Sequence, residues 1–230
     1  VWKIASEIQK LKPDVLGIGI YIWNRSQSFE LIERLQKQNP NLKIVIGGPE
    51  VSFETETSVE CPVISGEGEK KWLEYLQIID QGKVPSEEIL NRWKSYGTDL
   101  PDLAPAYLEE DYSQLKNRIV YFETSRGCPY LCSFCLSALD KTVRYFDDEV
   151  ICNQMKNLID AGVEKFKFVD RTFNLKPGRM KALMEWLSQF GDCEFHFEVV
   201  GDILTPDILK FLESVPPGMF QFEIGIQTTD

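Results

Sequence analysis

The sequence predicts an α/β protein that contains two parallel β-sheets, one in each half of the chain. Two observations predict this fold class. Short apolar runs alternate with segments of helical spacing, and glycine-rich turns follow several of those runs. Runs that are apolar at every position are typical of strands covered on both faces, as in parallel sheets. With 230 residues, the chain is long enough for one large domain or two small ones.

Residues 1–80 have the pattern of a partial open sheet of the flavodoxin or Rossmann type. Helical spacing covers 2–11, 29–35 and 70–79, and strand-like runs cover 15–22, 42–46 and 62–65. The last two runs end in the glycine turns 47–49 and 66–69. Such sheets bind ligands at the carboxyl ends of their strands, so both turns are candidate sites for a flat or phosphate-bearing ligand. Tight turns formed for packing are the alternative.

Residues 81–117 are predicted to be a linker, because prolines interrupt them and only 86–93 has helical spacing.

Strand-like runs alternate with helical segments again over 118–230. Four such strands predict the first half of a parallel (β/α) barrel, since a complete barrel needs eight. The chain has no initial Met and stops after the fourth strand, so we expect a fragment or a short form. The predicted strands are 118–123, 165–170, 194–200 and 220–226, and the helices are 147–161, 177–190 and 206–215.

Charge and hydropathy narrow the choice of partners. The net charge is −11, which disfavours nucleic acid and anionic lipid surfaces. No apolar run approaches the roughly 18 residues of a membrane span, and we expect no signal peptide. A cytoplasmic protein without membrane contact is therefore expected, acting on an unidentified small molecule.

Three of the six cysteines lie in one short stretch after the first strand of the second half. Cys128, Cys132 and Cys135 have the spacing C-x3-C-x2-C. Three thiolates can each bind one iron of a [4Fe–4S] cluster, which leaves the fourth iron open to another ligand. Two alternatives remain. Zinc would need a fourth ligand, and the only histidine is the distant His196; a disulfide would leave one cysteine over.

This motif, its place after a strand and the barrel pattern resemble the radical S-adenosylmethionine (radical SAM) enzymes. The resemblance implies that Cys128, Cys132 and Cys135 ligate the cluster and that SAM chelates the fourth iron. An electron, supplied by a flavodoxin or a ferredoxin, then cleaves the sulfonium to give a 5′-deoxyadenosyl radical. That radical abstracts a hydrogen atom from the substrate.

The resemblance also implies a set of SAM contacts. Phe134 matches the aromatic residue that packs on the adenine. Where the family often has Gly-Gly-Glu, this chain has an acidic D-x-x-F segment. There Asp170 would accept a hydrogen bond from the SAM ammonium, and Thr172 would assist. The alternative is that Asp170 is a solvent-exposed turn residue. Glu198 and Gln227 match polar positions that reach the ribose or the methionine, unless Glu198 faces outward.

Strand alternation places His196 on one face with Glu194 and Glu198, and Phe195 with Phe197 on the other. If the polar face lines the barrel, His196 could be a proton donor or a substrate contact. A structural histidine is the alternative.

The glycine turns ahead of the barrel resemble the cobalamin-binding domain of a large radical SAM subgroup. That resemblance implies methyl transfer, or a radical rearrangement or cyclisation. The cobalt-ligating D-x-H-x-x-G motif is absent from these residues. A cobalamin-independent enzyme of the methylthiotransferase or dehydrogenating kind, and a non-catalytic metal-binding module, are the alternatives. The implied cobalamin contacts are Tyr21, Gly47, Gly48, Gly66, Glu67 and Gly68.

Overall fold

The computed structural model describes residues 1–53, 59–94, 107–140 and 142–226, and it divides the chain into two compact units, Val1–Pro101 and Asp102–Asp230. A parallel sheet lies in each unit, which confirms the α/β fold class. The finer boundaries at 80 and 117 stay a prediction. Among the described residues, no helix is both long and apolar enough to cross a lipid bilayer.

The first unit contains a parallel sheet in the order β1-β2-β3 with helices on both faces. Register pairs Ile18 of β1 with Ile46 of β2, and Ile46 with Val63 of β3. The strands are β1 (Val15–Gly19), β2 (Lys43–Gly47) and β3 (Val63–Ile64), and the helices are α1 (Trp2–Leu11), α2 (Arg25–Gln38), α3 (Pro49–Ser52), α4 (Glu69–Asp80) and α5 (Glu87–Lys94).

Strand β2 is buried on both faces, as its unbroken apolar run predicts. Ile44 and Ile46 pack in a cluster with residues of α1 and α2. Val45, on the other face, packs with Tyr75 of α4 and Trp93 of α5. Helix α5 lies within the predicted linker, and the fully buried indole of its Trp93 packs within the first unit.

Strand β1 is shorter than predicted, because the chain leaves the sheet after Gly19 although the sequence stays apolar. Asn24 causes the turn. Its side-chain oxygen accepts from the Tyr21 backbone nitrogen at 2.8 Å, and its side-chain nitrogen donates to the Gly19 carbonyl at 3.0 Å. These two bonds close the turn that follows β1.

The second unit contains a parallel sheet in the order β4-β7-β8-β9, the start of the predicted barrel. An antiparallel pair, β5 with β6, was not predicted, since strands of two residues carry no periodicity. The strands are β4 (Ile119–Phe122), β5 (Ser125–Arg126), β6 (Arg144–Tyr145), β7 (Lys165–Phe168), β8 (Glu194–Val199) and β9 (Phe220–Ile224), and the helices are α6 (Tyr112–Leu115), α7 (Asp148–Asp160), α8 (Pro177–Leu187) and α9 (Pro206–Leu212).

The two faces of this sheet differ as alternation predicts. Phe195 and Phe197 of β8 are buried, and each contributes about 2 kcal/mol through burial. His196 and Glu198 alternate with these phenylalanines in sequence and are only half-buried. The apolar face forms the core, and the polar face carries the candidate barrel residues.

Candidate functional site

The carboxyl ends of β4 and β7 lie side by side and bring two distant segments together. The backbone nitrogen of Val169 donates to the Phe122 carbonyl at 2.8 Å, which extends the strand pairing by one step. Thr124 and Asp170 therefore follow their strands into adjacent positions. This is the edge at which open parallel sheets and barrels bind ligands.

Asp170 is buried, with 1% of its surface exposed, so the alternative of a solvent-exposed turn acid is wrong. Its carboxylate accepts from the Thr124 nitrogen at 2.9 Å, the Thr124 hydroxyl at 2.7 Å and the Ser125 hydroxyl at 2.6 Å. Burial raises the pKa of Asp170, and hydrogen bonds from Ser125 and Thr124 oppose that increase. All three bonds go to the segment that leads into the cysteine loop.

Arg179 extends this network and was missed by sequence reasoning. Its guanidinium donates to the Thr124 hydroxyl at 3.1 Å and to the Thr124 carbonyl at 3.3 Å, and it pairs with Asp148 at 2.5 Å. The first turns of α7 and α8 are thereby tied to the end of β4. Two consecutive hydroxyl residues just after the predicted strand, at 124 and 125, are the sequence feature that could have predicted a buried acceptor.

The cysteine loop leaves this anchored segment through a glycine. Gly127 has φ +87°, and a Cβ there would lie 2.2 Å from the Thr142 carbonyl oxygen, so no other residue fits without a backbone shift. The Cys128 nitrogen donates to the Asp140 carbonyl at 3.0 Å. The β5–β6 pair, with Arg126 opposite Arg144, closes the base of the loop.

The three cysteines are free, so none is used in a disulfide. Cys128 is buried, whereas Cys132 and Cys135 are exposed. Side-chain and backbone hydrogen bonds from Ser137 lower the pKa of Cys135. A lowered pKa favours the thiolate, which is the form that binds metals, so the donor chemistry of this loop fits an iron–sulfur cluster.

In the described part of the chain, no three Cys, His, Asp or Glu side chains are gathered closely enough to hold one metal ion. A mononuclear zinc site requires such a group around a single centre. A cubane cluster requires wider spacing, because each thiolate binds a different iron. The finding therefore concerns a single ion and does not conflict with a cluster.

The predicted SAM contacts differ in exposure. Phe134 is 73% exposed on the loop, whereas Thr172 is buried with its hydroxyl 3.7 Å from the Cys128 sulfur. Glu198 is half-buried and lies opposite Glu223 of β9. Gln227 lies outside the described residues. The SAM roles of these residues and of Asp170 stay predictions.

His196 lies on the same polar face as Glu198. Its Nε2 is 3.4 Å from the Glu223 carboxylate, which also pairs with Lys167 of β7 at 3.4 Å. The face thus carries charges of both signs beside the histidine, and a role for His196 in proton transfer stays a prediction.

In the first unit, the glycine turns at the sheet edge pack closely on neighbouring backbone. Gly48 has φ +98°, and a Cβ there would lie 2.6 Å from the Ile20 carbonyl oxygen; at Gly47 it would lie 3.1 Å from a backbone oxygen of β3. The Ser52 hydroxyl donates to the Gly48 carbonyl at 2.8 Å and accepts from the Gly66 nitrogen at 3.0 Å. Packing by itself therefore explains the glycines at 47 and 48.

The other predicted cobalamin contacts are more open. Tyr21 stacks on Trp23 with ring centroids 4.7 Å apart, and both rings are exposed. Gly68 has no close neighbour, since a Cβ there would come no nearer than 3.8 Å to another atom. Glu67 is half-buried between the two glycines. Packing does not explain the glycine at 68, so a ligand remains a reason for it.

Two family models match the chain in the order that the two units follow. The B12 binding domain matches residues 2–74, and the radical SAM superfamily matches residues 122–230. Both matches confirm the resemblances derived from the glycine turns and the cysteine loop. In fold, the chain is similar to the radical SAM methyltransferase TsrM of Kitasatospora setae, with a TM-score of 0.71 and 16% identity over 100% of this chain and 52% of that one.

Two curated relatives are similar in sequence to most of this chain. The cobalamin-dependent radical SAM methyltransferase TokK of Streptomyces tokunonensis is 29% identical over 79% of this chain and 31% of its own length. An uncharacterized methyltransferase of Pyrococcus horikoshii is 28% identical over 76% of this chain and 43% of its own length. The chain thus spans less than half of the length of these relatives. In its matched ranges, the chain carries a B12 binding domain followed by a radical SAM domain.

Proposed function

We propose that this protein is a cobalamin-dependent radical SAM enzyme that cleaves S-adenosylmethionine reductively and transfers a methyl group or rearranges its substrate. The observation that carries the proposal is the loop of Cys128, Cys132 and Cys135, anchored at the carboxyl end of β4 inside the radical SAM match. The TokK relative, named as a cobalamin-dependent methyltransferase, supports the methyl-transfer form.

The residues of the second unit divide the work in this proposal. The three cysteines would hold a [4Fe–4S] cluster, which supplies the electron for SAM cleavage. Phe134, exposed beside two of these thiols, would cover the adenine, and Glu198 would hold a polar part of SAM. A flavodoxin or ferredoxin would reduce the cluster, and a reducing cytoplasm would keep it intact.

The first unit would bind cobalamin at the carboxyl edge of its sheet. The open positions there are the exposed Tyr21 ring and Gly68, whereas Gly47 and Gly48 would bring the backbone close to the ligand. Since D-x-H-x-x-G is absent from these residues, no histidine of that motif would ligate cobalt.

Cluster binding is tested by anaerobic reconstitution with iron and sulfide, followed by metal analysis and electron paramagnetic resonance (EPR). About one cluster per chain is expected, with loss of the signal in Cys128→Ala, because each thiolate binds its own iron. Cys152→Ala is the matched control, since Cys152 lies on α7, outside the motif, and burial raises its pKa. Equal iron content in both variants would reject the proposal.

Cobalamin use separates the proposal from a second candidate, a cobalamin-independent methylthiotransferase. The tRNA-2-methylthio-N(6)-dimethylallyladenosine synthase of Bordetella pertussis, 24% identical over 83% of this chain, favours that candidate. Incubation with hydroxocobalamin and gel filtration should leave the cobalamin absorption with the protein. A chain that binds the cluster but no cobalamin would support the second candidate. A loaded chain that forms no 5′-deoxyadenosine from SAM would support a non-catalytic module.

A further inference from the structure

The three cysteines of the loop do not have equivalent surroundings. Cys128 is buried, and its sulfur lies 3.7 Å from the hydroxyl oxygen of Thr172, which is also buried. Cys132 and Cys135 are exposed to solvent. We propose that Thr172 donates a hydrogen bond to the Cys128 sulfur when that thiolate binds iron, and that this bond raises the reduction potential of the cluster. The inference rests on the proposed function.

The direction of the hydrogen bond follows from the protonation state of Cys128. As a thiol, Cys128 can donate to the Thr172 oxygen, while the Thr172 hydroxyl donates to the Arg171 carbonyl at 2.8 Å. Iron binding removes the thiol proton, and the sulfur is then an acceptor only. A threonine hydroxyl has one proton and rotates freely, so it can turn that proton from the Arg171 carbonyl to the sulfur.

Both partners of this bond are held on well-fixed backbone. On the loop side, the Cys128 nitrogen donates to the Asp140 carbonyl, and Gly127 is packed against Thr142. On the strand side, Thr172 follows Asp170 by two residues, and the three hydrogen bonds of that carboxylate fix the end of β7 against the base of the loop. The sulfur and the hydroxyl therefore keep their separation without a flexible side chain between them.

The effect on the cluster follows from charge. Reduction adds one negative charge, which spreads onto the cluster and its sulfur ligands. A hydroxyl dipole aimed at one of those sulfurs stabilises the reduced form and makes the potential less negative. The bond is strongest at a buried sulfur, because water does not compete for it there. Among the three thiols, Cys128 is the one that meets this condition.

This inference assigns Thr172 a different role from the one that the resemblance implies. The hydroxyl would act through the Cys128 sulfur as a positioning and tuning group, rather than on the SAM ammonium. The two roles predict different measurements. A hydroxyl that acts on the sulfur changes the potential of the cluster before SAM is added, whereas a SAM contact changes only the SAM-bound state.

The test compares Thr172→Val, which keeps the shape and removes the hydroxyl, with Thr172→Ser, which keeps the hydroxyl. Each full chain is reconstituted anaerobically, and the midpoint potential is measured without SAM by EPR-monitored redox titration. We expect a shift to a more negative potential in Thr172→Val and the wild-type potential in Thr172→Ser. Thr172→Ala provides a second variant without a hydroxyl should Thr172→Val not fold.

Two results would overturn the inference: an unshifted potential in the hydroxyl-free variants, or the same shift in Thr172→Ser as in Thr172→Val. Either result would leave the proposed function intact, because the cluster would still have formed. A wild-type chain that forms no cluster would instead reject the proposed function, and this inference with it. Iron content, measured on every sample, distinguishes the two failures.

Discussion

The two units place their candidate ligand-binding residues at the same kind of position, the carboxyl edge of a parallel sheet, but for different physical reasons. In the first unit, Gly47 and Gly48 are needed by the fold, because neighbouring backbone fills the space of a side chain. In the second unit, Cys132 and Cys135 are exposed. Residues that the fold requires say little about a ligand, whereas exposed thiols that the fold does not require call for another explanation.

Among the candidate ligand-binding residues of the two units, this difference predicts the largest loss of stability at a glycine of the first unit. Gly48→Ala should lower the free energy of unfolding by about 3 kcal/mol or more, since it combines positive φ with a contact of 2.6 Å to the Ile20 oxygen. Chemical denaturation measures the change.

Gly82→Ala is the matched control for Gly48→Ala. Gly82 also has positive φ, at +68°, but no atom lies within 4 Å of the Cβ that alanine would add. Gly82→Ala should therefore lower the free energy of unfolding by only about 1 kcal/mol, through backbone strain. Equal losses in both variants would show that φ, and not packing on Ile20, makes Gly48 necessary.

The second unit has one polar residue on which the fold does depend. Asp170→Asn should lower the free energy of unfolding by about 2 kcal/mol, because an amide nitrogen cannot accept the hydrogen bonds of Thr124 and Ser125. Asp192→Asn is the control, since Asp192 is exposed. Similar unfolding curves for both variants would contradict the role of Asp170 as the anchor of the loop.

The same carboxylate predicts a pH dependence of stability. Burial raises the pKa of Asp170, so the folded chain keeps a proton that the unfolded chain releases near pH 4. The free energy of unfolding should therefore fall as the pH rises from about 4 to the raised pKa, by at most about 1.4 kcal/mol per pH unit. Unfolding measured over this range should show this contribution in the wild type and lose it in Asp170→Asn. A dependence that survives the substitution would assign it to another group.

The smallest effect is expected at an exposed thiol of the loop. Cys132→Ser should change the free energy of unfolding of the cluster-free chain by less than about 0.5 kcal/mol, because the side chain is exposed. The same variant should lose cluster binding. Cys193→Ser, at a buried thiol whose sulfur lies 3.8 Å from the Val163 carbonyl, should be the more destabilising of the two. A large loss of stability in Cys132→Ser would mean that the fold needs the thiol after all.

Periodicity and spacing in the sequence were sufficient to predict the architecture. The apolar runs predicted both parallel sheets. The alternation in β8 correctly placed His196 and Phe197 on different faces of the sheet. The cysteine spacing predicted the family that the comparisons confirm. These features are local, because strand alternation and motif spacing depend on residues close together in the chain.

What only the tertiary structure decided was which distant residues meet. Asp170 reaches Thr124 across 46 positions because β4 and β7 are neighbours in the sheet. Arg179 reaches the same threonine from α8, 55 positions away. Composition does not encode such pairings, since they arise from strand order and register. For the same reason, the sequence could nominate Thr172 as a SAM contact, but only the fold shows its hydroxyl beside the sulfur of Cys128.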